Sequence, residues 1–299
     1  EVVGLRKFGN AEERFGPLAR EAGSSRQAAL FSLPPIVDDA AKDWKVSLVF
    51  LTKENGEMCK VSFFELAGTP YFVIGSKNVV VVASAVNQEQ TNTDLASYVE
   101  GRYAFALEMA EAFSHQFFEC LNEEQRCELI RFICDNGATL CGESISPRHQ
   151  HIQSYCTDSV GGGIRTEIRF FAVTSPKDFS AAGLTFLDPT QCRNQLRHLG
   201  LHVVETCEEA PANDVATVQA LEEKHLLLPN REGAVVYVVV RSPHEPSVAR
   251  TALIYKWKNS WYVTVRALRE KFCARSSEAR IRNRIQMLHV HHPDEGTIV

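Results

Sequence analysis

No apolar run in this sequence is long enough to cross a membrane. The longest, such as Val79–Ala83 and Ala234–Val240, fall well short of the roughly 20 residues a helical span requires, and a soluble protein is expected. No Cys-x-x-Cys pair occurs among the nine cysteines, which excludes the commonest zinc-binding and dithiol-exchange motifs. Cys120, Cys127, Cys134 and Cys141 instead recur at seven-residue intervals, a spacing that gathers the first three toward one side of a helix. Buried reduced thiols are the expected state, in keeping with a reducing intracellular compartment, cytoplasm or nucleus. The chain does not start with Met, so an upstream targeting segment stays open.

Positive charge is not in excess either. Lys and Arg number 32 against 37 Asp and Glu, and the net charge of −5 argues against a uniformly basic nucleic-acid wrapper. The glycine-rich "VGGGIRT" lacks the Gly-Lys-Ser/Thr ending and the following helix of a phosphate loop. "HVHHP", with His289, His291 and His292, lacks the cysteine or acid spacing of a metal centre. Internal repeats and low-complexity linkers are missing too.

What is present is an ordinary globular composition, 44% hydrophobic and 23% charged, over 299 residues, enough for one large domain or two modest ones. Strand-like runs occupy "WKVSLVFL", "MCKVSFFEL", "YFVIG" and "NVVVVAS", separated by turn-like "KENGE" and "AGTP"; an antiparallel meander is the simplest arrangement. Helical spacing follows from Thr93 to Cys120. A second helix starts at Asn122, with Gln125 three residues on as in a capping box, and runs to about Asp135 before Gly137.

Strand character returns in "ATLCGES" and in residues 163–175. Asp188-Pro189 opens a short helix ending before Gly200, "LHVVET" reads as a strand, and Asp214–His225 as a helix. "EGAVVYVVV" and "TALIYKWK" are two more strands, and a helix with a basic tail follows. Residues 156–163 and 241–247 read as loops. Strands arriving in groups give α+β with mostly antiparallel sheets.

The chemistry-bearing residues sit at strand ends. In order they are Lys53-Glu54-Asn55-Gly56, Ser76-Lys77, Glu143, Phe170-Phe171, Glu232-Gly233 and Lys256-Trp257-Lys258. Lys-x-x-Gly alone is also what an ordinary solvent-facing hairpin carries; Glu232-Gly233 alone is a turn, and lysines alternating on an edge strand discourage aggregation. The ordered set, however, resembles the covalent nucleotidyltransferase superfamily of polynucleotide ligases and capping enzymes. "KENG" followed by "GSKN" is most similar to the RNA ligase 1 family, including the adenylyltransferase domain of tRNA ligases. Upstream, "LRKFGN" matches that family's Lys-Phe-Phe-Asn stretch at Lys7, Phe8 and Asn10 and departs at Gly9. The family's preceding Arg-Gly pair is not recognisable, and no kinase module is present.

The resemblance implies a nucleotidyltransferase (ATP-grasp-like ligase) fold, antiparallel sheets flanked by helices with the nucleotide between them. Residues 1–258 would form the adenylyltransferase domain and 259–299 a small helical basic extension. Lys53 would attack the α-phosphorus of ATP and carry AMP as a phosphoramidate. Its pKa is expected to be lowered by Lys256, Lys258 or a bound metal.

Further roles implied are contact of Glu232 with the hydration shell of Mg²⁺ (or Mn²⁺), ribose recognition by Glu143 with Glu167 as the alternative acid, and adenine stacking by Phe170 or Phe171. Strand alternation favours Phe171 for the pocket. Glu54, Asn55, Gly56 and Gly233 would line the nucleotide, Lys77 would contact triphosphate or an RNA 5′-phosphate, and Lys256 and Lys258, sharing a strand face, would clamp phosphate oxygens. Arg266, Arg269, Arg275, Arg280, Arg282 and Arg284 make the tail a candidate RNA track, although a solvated helix face has the same composition.

The implied activity is ATP-dependent RNA joining, 5′-phosphate to 3′-hydroxyl, in tRNA splicing on tRNA halves or in RNA repair, by a monomer without a membrane partner. A capping guanylyltransferase using GTP and a catalytically silent RNA-binding protein on the same fold are the alternatives.

Overall fold

A computed structural model describes residues 45–149, 151–153, 155, 165–175, 188–205, 207–228, 230–244 and 249–273. The motif around Lys7, the tail arginines 275, 280, 282 and 284, the histidines 289, 291 and 292, and the 156–163 loop lie outside them.

Two antiparallel sheets organise the chain. The first has the order β7-β1-β8-β9, from β7 (Cys207–Pro211), β1 (Lys45–Thr52), β8 (Gly233–Arg241) and β9 (Ala249–Lys258). The second runs β4-β3-β2-β5-β6, from β4 (Val80–Ser84), β3 (Thr69–Gly75), β2 (Glu57–Leu66), β5 (Thr139–Ile145) and β6 (Glu167–Thr174). The helices are α1 (Gln88–Ala96), α2 (Ala104–His115), α3 (Glu123–Asn136), α4 (Pro189–His198), α5 (Val215–Leu227) and α6 (Ser260–Cys273). The architecture is α+β, antiparallel sheets flanked by helices, as the grouping of strands predicts.

Alternation along each strand divides its residues between two faces. On the second sheet Phe63, Phe72, Ile74, Leu140, Ile168 and Phe170 are buried with Met109, Phe113, Phe117, Leu129 and Ile133 of α2, its continuation and α3. Phe113 meets Phe63, Phe72 and Phe170 with ring centroids 6.0–6.2 Å apart at steep interplanar angles, the edge-to-face geometry aromatic quadrupoles favour. On the first sheet Leu48, Phe50, Val236, Val238, Leu253, Tyr255 and Trp257 form the outer core with Val218 of α5. Val49, Leu51, Tyr237, Val239 and Ile254 face inward, and Phe171 of β6 packs on them. The two sheets thus meet over their β1/β8 and β5/β6 parts.

The capping box at Asn122/Gln125 forms as expected, and Gly137 closes α3 in the left-handed conformation. Asp188 caps α4, accepting from the Thr190 and Gln191 amides. Four readings are corrected. β1 does not pair with β2, so Lys53–Gly56 is no hairpin but a crossover between sheets, and only β2-β3-β4 forms a meander. The Thr93–Cys120 helix is broken at residues 97–103 and ends in a π-helical turn, Gln116–Cys120. "LHVVET" makes a single parallel bridge, Phe170↔Val203, because it meets β6 only in passing. Cys120, at the end of the π-helical turn, and Cys127, on α3, are exposed, and the buried face of α3 carries Leu129 and Ile133 instead.

Candidate active site

The crossover places Lys53 at the seam of the two sheets. Its parity with Val49 and Leu51 turns the side chain to the inner face, and its backbone N–H continues the β1–β8 ladder by donating to the Gly233 carbonyl at 3.0 Å. Lys53 Nζ lies 2.8 Å from Glu232 Oε1, with only 16% and 6% of the two side chains exposed. Glu232 is held in turn, its carbonyl accepting from Asn259 N at 2.9 Å and its Oε2 from Asn55 Nδ2 at 2.7 Å.

Asn55 is the hub of the loop. Its Oδ1 accepts from the Ile152 and Gln153 amides at 2.9 and 3.0 Å, and its Nδ2 donates to Glu232 and, at 3.2 Å, to the Tyr262 hydroxyl of α6. Both donors and both acceptor positions of the amide are used, so a flipped amide would set oxygen against carboxylate. Glu54, buried, accepts from Arg169 Nη1 at 3.0 Å and from the Tyr155 hydroxyl at 2.9 Å, and the same hydroxyl accepts from Asn55 N at 2.6 Å. One buried carboxylate therefore meets a guanidinium and a phenol, which offset its desolvation.

Gly56 is required by close approach: a Cβ there would stand 2.2 Å from the Ser144 carbonyl oxygen. Its N–H donates to Glu143 Oε1 at 3.0 Å, bringing the second sheet's acid to the loop. Gly233 combines φ of +131° with a virtual Cβ 2.0 Å from the Trp257 carbonyl, so only glycine admits the β8–β9 contact at Glu232. Lys258 pairs with Gly233 and Lys256 with Val235, while Trp257 turns to the outer core as alternation requires.

The charges around Lys53 differ from expectation. Burial pulls its pKa down, but the carboxylates of Glu232 and Glu143 outweigh burial and the net direction is up. An activated, lowered amine is thus corrected to a resting ammonium, because the attraction of two carboxylates outweighs burial. Lys256 is the amine that is lowered, by burial first and then by Lys53 and Lys258. Burial, opposed by Lys53 and the Gly56 N–H, pushes Glu143 up to about 7.

Phe170 and Phe171 divide as alternation predicts, at a β-bulge where Cys141 faces Ala172 and Gly142 faces Phe170. Phe170 enters the helical core and Phe171 the inner face. Glu167 is drawn instead to His202 and Arg169, which hold it down at about 2. Lys77 is exposed in the β3–β4 turn, two strands from β5. Arg266 and Arg269 lie on α6, Arg266 paired with Glu270 at 2.9 Å. A separate cavity of about 520 Å³ opens beside α2, lined by Glu108, His115 and Arg148 among others, away from the Lys53 loop.

Comparison with known families adds one assignment. A profile described as "Domain of unknown function (DUF7920)" matches residues 21–250. The chain belongs to this DUF7920 family. The matched span of the DUF7920 domain includes Lys53, Asn55, Glu143 and Glu232 and stops short of Lys256 and Lys258. No curated protein sequence matches the chain.

Among solved structures the chain is similar to an archaeal ATP-dependent RNA ligase, with 16% identity and a TM-score of 0.47 over 98% of this chain and 59% of the other. It is also similar to the Naegleria gruberi RNA ligase with PPi, with 11% identity and a TM-score of 0.42 over 84% of this chain and 56% of that one. The DUF7920 chain thus spans less than two thirds of either ligase.

Sequence reasoning missed Tyr155, Arg169 and Tyr262. Arg169 carried a signal, its two-residue offset from Phe171 in "EIRFFAV", which puts both on one strand face. Tyr155 and Tyr262 lie outside any periodic run near the loop and carried none.

Proposed function

We propose that Lys53 is a nucleotidyl-accepting nucleophile and that the protein is an ATP-dependent RNA ligase acting through lysyl-AMP. The observation that carries this reading is the Lys53–Glu232 pair, buried at the seam of two sheets beside Glu143 and the inner-face lysines of β9. A solvent-facing turn lysine has no reason to be enclosed with two acids, since burying charge is costly.

In the proposed first step the Lys53 amine forms a bond to the α-phosphorus of ATP, the bond to the bridging oxygen of pyrophosphate breaks, and the ammonium proton leaves beforehand. Glu232 Oε1, 2.8 Å away, is the acceptor within hydrogen-bond reach. Lys256 and Lys258 on the inner face neutralise charge on phosphate oxygens, Glu143 accepts from the ribose hydroxyls, and Phe171 stacks on adenine. An RNA 5′-phosphate then takes the AMP, and a 3′-hydroxyl displaces it to seal the strand.

A divalent cation fits this donor set through water. Glu232 already accepts one protein donor on each oxygen, leaving lone pairs for waters of hydration, and no cluster of three metal-ligating side chains exists among the described residues. Mg²⁺, which keeps several waters and uses few carboxylates, suits such a site, where it supplies positive charge against the triphosphate and the ammonium.

Involvement in tRNA splicing or repair, the 1–258 and 259–299 division, and an RNA track along Arg266 and Arg269 belong to the same proposal. Incubation with radiolabelled ATP and, in parallel, GTP tests it: stable label from ATP, lost in Lys53→Ala, is the expected result. Label from GTP alone would make the protein a guanylyltransferase, and label from neither would leave the silent RNA-binding reading.

A further inference from the structure

The inner face of the second sheet is covered only in part. Over β5 and β6 it lies against the first sheet, where Cys141 and Ala172 are buried. Over β2, β3 and β4 it is exposed in places, at Phe64, Leu66 and Val80, while Ser62 and Ser84 on the same face are buried. Phe64 is 38% exposed, Leu66 62% and Val80 43%, whereas Phe63, Phe72 and Val81 on the other face of the same strands are buried beneath α2 and α3.

Phe64 and Tyr71 are cross-strand partners whose rings stack at 5.4 Å and 15°. Met58 and Lys60 share their face, and Met58 pairs directly with Glu143, so the same strand face leads from Phe64, past the buried Ser62, to the Lys53 site. The distance along β2 from Met58 to Phe64, six residues, is about 20 Å, the reach of a few nucleotides.

Charge selects the occupant. The inner-face positions of these strands are Met58, Lys60, Ser62, Phe64 and Leu66 on β2, Tyr71 and Val73 on β3, and Val80, Val82 and Ser84 on β4. They include a lysine, with Lys77 exposed in the adjoining turn and Glu65 on the opposite face; the bordering acids are Asp94, which accepts from Ser84 N at 2.7 Å, and Glu143, which accepts from Gly56 N at 3.0 Å. Stacked aromatics on an exposed stretch of sheet beside cations, with the two bordering acids each engaged by a backbone amide, match an unpaired polyanion bearing flat bases.

We infer that the exposed part of this β2-β3-β4 face is a stacking platform for single-stranded RNA, with Phe64 and Tyr71 receiving bases a few nucleotides from the end held at Lys53. The placement of that end rests on the ligase reading; the platform itself does not. Phe64→Leu and Tyr71→Leu keep apolar area and remove the ring.

Fluorescence anisotropy with a labelled unstructured RNA oligonucleotide should show roughly tenfold weaker binding for each variant, as loss of one base–aromatic stack implies. Lys53 labelling by ATP without RNA should remain at the wild-type level, so failure of the platform and failure of the nucleophile read out separately. For wild-type protein, photocrosslinking to 4-thiouridine RNA should map to the 57–75 peptide. Unchanged RNA affinity in both variants, crosslinks confined to other peptides, or a shift from dimer to monomer on losing the rings would each overturn the platform.

Discussion

Lys53 Nζ and Glu232 Oε1 sit 2.8 Å apart, and Asn55 grips the other oxygen of that carboxylate at 2.7 Å. The resting amine is therefore an ammonium whose proton is held by its partner acids. Neutralising one of them should release it: in Glu232→Gln, acylation of Lys53 by an amine-reactive reagent should reach half-maximum at lower pH than in the wild type. Peptide mass spectrometry across a pH series measures this, and an unchanged or higher midpoint contradicts it.

Glu143 should leave a signature in stability. In the unfolded chain it titrates at about 4.3, and in the folded protein burial pushes it up to about 7. Between those values the native state keeps a proton that the unfolded chain has lost, so stability falls as pH rises through the window. The melting-temperature difference, wild type minus Glu143→Gln, should decline from pH 4 to 7.5. A difference independent of pH would show that Glu143 is not buried as described.

Arg169 holds Glu54 at 3.0 Å, with only 1% of the glutamate side chain exposed. Arg169→Ala leaves the buried carboxylate with the Tyr155 hydroxyl but without its counter-charge and should cost about 3 kcal/mol by denaturant unfolding. Arg169→Met combined with Glu54→Gln should recover a large part of that loss. A double variant as unstable as the single one would place the cost elsewhere.

Gly233→Ala should destabilise by more than about 3 kcal/mol, because both the backbone angle and the Trp257 carbonyl oppose a Cβ. Urea denaturation measures it. Loss below about 1 kcal/mol would mean that the β8–β9 junction relaxes easily.

Much of this fold is written locally. β-branched and aromatic runs such as "AVVYVVV" mark strands whose side chains have one way to be buried, and Asn122/Gln125 and Asp188-Pro189 mark helix starts by satisfying their own amides. The crossover at Lys53–Gly56 is not local. A four-residue connection serves a hairpin and a sheet switch alike, and what decides is the pairing of β1 with β7 and β8 far along the chain.

Edge strand β7, "CEEAP", has low strand propensity and a proline, and exists because β1 offers it a ladder. In the site, the inner-face positions of Lys53, Phe171, Lys256 and Lys258 follow from strand period, whereas the balance of charge on Lys53 depends on distances between sheets that no spacing encodes.

The central claim is that the Lys53 amine takes AMP from ATP. Intact mass spectrometry after incubation with ATP and Mg²⁺, followed by peptide mapping, tests it directly. A mass gain of one AMP located on Lys53, reversed by added pyrophosphate, is the predicted result; an unmodified chain, or AMP carried by any other residue, would contradict it.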